Sequence, residues 1–249
     1  MVNKLGHLSC WRISVCTFTA IIAAGCSTLA GNARPDFSGM WDVTEYDEIT
    51  RPDEAGKYTQ EAQERIAFYL EHFNPVEESH SKFCDMAGMP WTILGRARDY
   101  PREIYQSKDR LFYFFEYMDS YRQIRIGDME IPESFPGTRE GYSIAHWEGD
   151  ELVVITEGFT EIPHMSKFQR SDEAKIIERW RKFVHSEYGE VIEVKVEVID
   201  PVVYTEPVYG RALWKRAPDG VQLGQYACPA SLWEDYADKK LEAIENAAN

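Results

Sequence analysis

Three stretches of this chain set charged groups among residues that otherwise build a core, and those groups are where chemistry would have to start. In AKIIERWRKF (174–183), strand alternation puts Glu178 on one face with Ile176 and Trp180, opposite Lys175, Ile177, Arg179 and Arg181. In RLFYFFEYM (110–118) the same test groups Glu116 with Phe112, Phe114 and Met118, and the opposite face is apolar too. In YRQIRI (121–126) Arg122 falls beside Ile124 and Ile126, with Tyr121 and Arg125 on the other side. A carboxylate turned inward costs several kcal/mol unless paired. Arg122 is the natural partner, since a guanidinium can grip a carboxylate through two nitrogens. Such a carboxyl serves either as half of a structural ion pair or as an acid or base with a pKa raised by burial.

The run GYSIAHWEGDELVVITEGF (141–159) adds Tyr142 and His146 on one face and Trp147 on the other. His164 stands in EIPHMSKF (161–168), a loop, and loops at a barrel mouth are where binding groups gather. The catalytic candidates are therefore Glu178, His164, Glu116, Arg122 and Tyr142. His146, Trp180, Tyr121 and Tyr204 are the expected ligand-binding side chains. No cofactor is expected. A metal site from His72, His80 and Cys84 matches no zinc spacing. Neither GxSxG, GxGxxG after a strand, a P-loop nor HExxH occurs, which argues against serine hydrolase, nucleotide-dependent and zinc-peptidase chemistry.

These candidates need elements to hold them. YTQEAQERIAFYLEHF has apolar residues at helical spacing behind Thr59 as N-cap, so a helix is expected near 58–73. From about residue 100 the period changes to two. Short alternating runs, with turn residues between them, continue to about residue 226 and describe an antiparallel meander. A last amphipathic helix is expected near 230–247. Many sequential strands with one helix near each end read as mainly β: an antiparallel barrel or strongly curved sheet. A barrel of about eight strands encloses side chains or one small ligand.

The first residues, MVNKLGHLSCWR, are basic, and ISVCTFTAIIAAG behind them is short and apolar. The exit AAGC resembles a bacterial lipobox, so residues 1–26 are expected to be a lipoprotein signal peptide with Cys26 acylated. The plainer alternative is cleavage to a soluble secreted protein. Residues 27–36 then form a linker and 37–249 a single domain. Ser27 after the cysteine implies outer-membrane sorting, so the expected location is the periplasm, through a lipid anchor. With Cys10, Cys16 and Cys26 assigned to the leader, Cys84 and Cys228 remain as a candidate disulfide or as two buried thiols. The net charge of −15 excludes nucleic acid as a partner, because that binding is driven by Lys and Arg on phosphates.

Taken together, PDFSGMWD, CDMAGMPW, YPREIYQSKDRLFYFFEY, GYSIAHWEGDELVVITEGF, PHMS, ERW, DPVVYTEP and YAC resemble, in order, an uncharacterised family of secreted bacterial lipocalin-like (calycin-type) proteins. The resemblance covers about residues 35–230 and implies fold and compartment, with no established reaction. After Cys228 this chain reads PASLW where relatives commonly continue His-Glu-Gly-Asn, so no role is carried over from that tail. Two functions fit. One is a cofactor-independent acid/base enzyme (isomerase, lyase or hydratase) acting on an aromatic or terpenoid/steroid-like molecule. The alternative is a non-catalytic carrier of the same kind of hydrophobic small molecule. Oligomeric state and ligand identity are not read from the residues.

Overall fold

Nine strands close into a barrel in sequence order. The computed structural model describes residues 34–47, 57–95, 100–162, 169–226 and 231–248. The strands are β1 (Gly39–Asp47), β2 (Arg102–Gln106), β3 (Arg110–Phe115), β4 (Ser120–Ile126), β5 (Tyr142–Glu148), β6 (Glu151–Glu157), β7 (Lys175–His185), β8 (Gly189–Ile199) and β9 (Val208–Arg216). The helices are α1 (Gln60–His72), α2 (Trp91–Leu94) and α3 (Ser231–Ala248), with a 3₁₀ turn over His80–Phe83. Both terminal helices and the β meander are present, and the sheet closes rather than merely curving. Strand pairing, expected to continue to about residue 226, ends with β9 at Arg216, and residues 217–226 lie outside the ladder.

One joint differs from an all-antiparallel meander: β4 and β5 run parallel. The reason is parity. Walking once round a closed sheet must return each strand to its own direction, so the number of antiparallel joints is even. With nine strands, at least one joint has to be parallel. A parallel joint needs a crossover of about a dozen residues or more, and residues 127–141 supply it. β9 closes on β1, from Trp41 against Arg216 to Asp47 against Arg211, with a bulge between Val43 and Glu45.

The barrel has two unlike ends. At one, strands are joined by tight turns, such as Gly149-Asp150 between β5 and β6. Gly149 takes φ +64° there and has open space around it, as such a turn requires. Phe37 stacks on Trp147 and meets Trp180 edge-on at this end, sealing it. At the other end gather the described parts of the longer connections, 57–95, 158–162, 169–174 and 200–207. α1 docks there: Thr59 caps the helix through Ala62 and donates its hydroxyl to the Val202 carbonyl at 2.6 Å.

Inward positions alternate along each strand. Leu111, Tyr113 and Phe115 point in from β3, whereas Phe112 and Phe114 are only half-buried on the outside. Trp41, Trp180 and Trp214 are fully buried. Trp180 and Trp214 meet at 86° with centroids 5.2 Å apart, and Tyr113 packs against both. Such edge-to-face contacts add about 0.5–1.5 kcal/mol each beyond the area they bury. The segment 85–95 plugs the loop end. Met89, Thr92 and Ile93 have almost no exposure, and Met89 and Ile93 belong to the barrel core.

Candidate functional site

The barrel wall holds a buried ion pair. Arg122, from β4, donates Nη1 to Glu178 Oε2 at 3.1 Å and Nη2 to Oε1 at 2.8 Å. Trp180 Nε1 donates to the same Oε2 at 3.0 Å. Ser143 and Thr156 accept from Arg122 Nη2 and bond to each other at 2.9 Å. The register explains the meeting: Val154 pairs with Glu178 across β6 and β7, and Ile124 with Ser143 across β4 and β5. Burial opposes the Arg122 charge, but the charge of Glu178 and the hydrogen bonds to it outweigh that, and the guanidinium is held above its ordinary pKa. Both Glu178 oxygens are thus engaged by N–H donors.

Above this pair, toward the loop end, lies a second polar chain. Arg102, wholly buried at the start of β2, donates Nε to Tyr113 Oη at 2.9 Å and Nη1 to the Tyr100 carbonyl at 3.1 Å. Tyr113 donates to the Thr92 carbonyl at 2.9 Å, and Thr92 Oγ1 donates to Glu140 Oε1 at 2.7 Å. Burial pushes the Tyr113 hydroxyl up to about 12, so it stays protonated. Glu140 as a residue is half-buried, but its Oε2 is sealed from solvent. Burial raises its pKa, only partly offset by Arg122, Thr92 and Arg170.

The plug is fastened by the same kind of bond. Met89 N donates to the Arg139 carbonyl at 3.1 Å, and Arg170 reaches the carbonyls of Met89 and Arg139. Arg139 pairs with Asp85 at 2.8 Å, which also holds His80 at 2.6 Å. Burial drags the Arg170 guanidinium down to about 10. Cys84, between this network and the 3₁₀ turn, is disulfide-bonded.

Several polar atoms at the interior are left over. Among the described residues, Arg102 Nη2, Arg122 Nε, Trp214 Nε1 and Glu140 Oε2 are buried and make no hydrogen bond. Native interiors tolerate few such atoms, and a ligand is one way of satisfying them.

The structure brings only some of the expected site residues together. Glu178, Arg122 and Trp180 meet inside. Glu116 is not a buried strand residue: β3 ends at Phe115, and Glu116 opens a 3₁₀ turn over Tyr117–Asp119, half-exposed, accepting from Gly224 N. Tyr142 lies on the outer face under Arg125, whose Cζ is 4.0 Å from the ring, and against Phe135. His146 is exposed beside Glu148, and Tyr121 is 67% exposed. All three fail as interior groups because β4 and β5 turn Arg122, Ser143 and Ala145 inward, which fixes their neighbours outward. Tyr204, in the 200–207 connection, is buried and stacks on Tyr58. His164, Cys26 and Cys228 lie outside the described residues. Among the described residues no group of three His, Cys, Asp or Glu is placed to hold a metal ion.

Arg102, Tyr113, Thr92, Glu140 and Trp214 were missed as site residues. Arg102 shares the alternation of Ile104 in PREIYQ, so the face test that found Arg122 would also have found it. Glu140 stands one residue before the Gly141–Phe159 run and has no pattern of its own.

No family model matches this chain, and no curated protein matches it. Among solved structures, it is similar to a secretary abundant heat soluble (SAHS) protein from Ramazzottius varieornatus. That likeness has 11% identity and a TM-score of 0.35, covering 73% of this chain and 95% of that one. At that level it carries no argument about site or activity.

Proposed function

We propose that this chain is a binding barrel for a hydrophobic small molecule, held under the plug with its polar atoms on the Arg102–Glu140 side. The observation that carries this reading is the set of buried, unpaired hydrogen-bonding atoms on interior side chains, amid rings and aliphatic groups. Ligand sites are mostly apolar with a few convergent polar groups. The Arg122–Glu178 pair then serves the wall. The test is denaturing extraction of protein purified from its native host, with mass spectrometry of what is released. A single apolar compound near one equivalent is expected; protein that yields none, and binds no apolar probe, would overturn the reading.

The acid/base enzyme remains a second reading because of Glu140, whose raised carboxyl and free oxygen suit proton transfer, whereas both oxygens of Glu178 are already bonded. Glu140→Gln separates the two: a carrier keeps its ligand, and an enzyme keeps its ligand but loses about a hundredfold or more in turnover.

We further propose export to an oxidising compartment, with acylation at Cys26. The Cys84 disulfide supports the compartment, since such bonds persist where thiols are not kept reduced. Cys228 is the proposed partner. Its support is that α3 packs beside Cys84, with Tyr236 stacked on Phe83 at 4.4 Å and Lys240 held by Glu78 Oε2 at 2.6 Å. Cys26→Ala should move the protein from the membrane to the soluble fraction.

A further inference from the structure

We propose that Arg102 and Trp214 form an anchor for a single negative charge, so that the ligand is an apolar monocarboxylate; this rests on the binding reading above. The comparison is between buried cations of one interior. Arg122 has a carboxylate on two of its nitrogens. Arg170 donates to three backbone carbonyls and covers the Phe159 ring. Arg102 is equally buried, yet among the described residues no carboxylate pairs with it. Its neighbours are a phenol, one carbonyl and two rings, with Cζ 4.3 Å from the Phe115 centroid and 5.7 Å from that of Trp214. A buried charge without a counter-ion costs several kcal/mol.

Its free nitrogen, Nη2, has company. Trp41 Nε1 donates to the Phe37 carbonyl and Trp180 Nε1 to Glu178, so two of the fully buried indoles are satisfied. The third, Trp214, keeps an unused N–H on the ring beside Arg102. One charged and one neutral donor, both buried and both unused, call for an acceptor that is itself charged. A neutral carbonyl would fill one bond and leave the cation uncompensated. A phosphate would bring more oxygens and charge than two donors can satisfy. A carboxylate takes one N–H on each oxygen. Its organic body would lie along Phe115, which Arg102 covers, and the Tyr117, Tyr100 and Tyr226 rings that continue from it with centroids 5.1–5.9 Å apart.

The experiment titrates 2-naphthoate and 2-naphthamide into the full chain, by calorimetry or by tryptophan quenching. The wild-type protein is expected to bind the acid at least about tenfold more tightly than the amide. Arg102→Met should erase that preference while leaving the amide within about threefold. Trp214→Phe, which keeps an aromatic ring but removes the N–H together with one ring of the indole, should cut the preference by about threefold, and it stands as the test if Arg102→Met does not fold. Equal affinity for acid and amide in the wild type would overturn the anchor and leave the binding reading intact. A preference unmoved by either substitution would also overturn it. Failure of both probes to bind would count against the anchor and the binding reading together.

Discussion

Glu178 holds Arg122 by both oxygens, across the barrel wall between β7 and β4, with neither side chain more than 2% exposed. Losing one partner strands the other in the interior. Glu178→Gln or Arg122→Met alone should therefore lower stability by roughly 3–5 kcal/mol in urea unfolding. The double change Arg122→Met with Glu178→Leu should cost less than either single one. Simple addition of the two single losses would show that the pair is not coupled.

Glu140 gives a pH signature. Its carboxyl sits above the ordinary range, chiefly through burial. The folded chain therefore binds this proton more tightly than the unfolded chain does. That contribution is fully present below the unfolded pKa and is lost as pH rises through the raised folded value. Glu140→Gln should stabilise the protein at pH 7–8, because a neutral amide of the same shape replaces a carboxylate whose charge burial opposes. The gain should shrink toward pH 4, and melting curves across that range would read it. A gain independent of pH would contradict the assignment.

Gly88 fixes the plug. It takes φ +70°, and a Cβ there would stand 2.1 Å from the Arg139 carbonyl oxygen. Gly149 has a similar φ with nothing within 4 Å. Gly149→Ala should cost about 1 kcal/mol for conformation alone. Gly88→Ala should cost roughly 1–3 kcal/mol more and speed amide exchange over residues 85–95. Equal costs would mean that the plug gives way freely.

Reduction of the Cys84 disulfide should lower the unfolding free energy by roughly 2–5 kcal/mol. Melting curves with and without reductant measure this, and peptide mapping under non-reducing conditions identifies the partner. An unchanged melting temperature would mean that the bond constrains little.

The alternation of AKIIERW and YRQIRI was enough to orient Glu178 and Arg122, because period two leaves a strand only two faces and Ile and Trp choose between them. It could not place Glu116, since nothing in FFEYM marks the turn that ends β3 there. It also left the face of β5 open. Tyr142, Ile144 and His146 make as plausible an inner row as Ser143, Ala145 and Trp147, and the small residues won because Arg122 needs the Ser143 hydroxyl and the room beside it. The parallel joint was not legible either, because parity acts on the closed sheet and leaves no trace in any one strand. The Arg102–Tyr113–Thr92–Glu140 chain joins residues from four separate segments, and only tertiary packing assembles it.

The parallel joint between β4 and β5 also decides where β1 begins and β9 stops. By absorbing the odd strand, it lets β1 begin and β9 end at the same end of the barrel, the one closed by tight turns. Lys182 fastens the lead-in there by donating to the Asp36 carbonyl, and Arg216 by donating to that of Ser38. These two bonds bind residues 34–38 to the base that Phe37 closes, so the lead-in and the end of β9 share one pole of the barrel while the plug, Glu140 and Arg102 share the other.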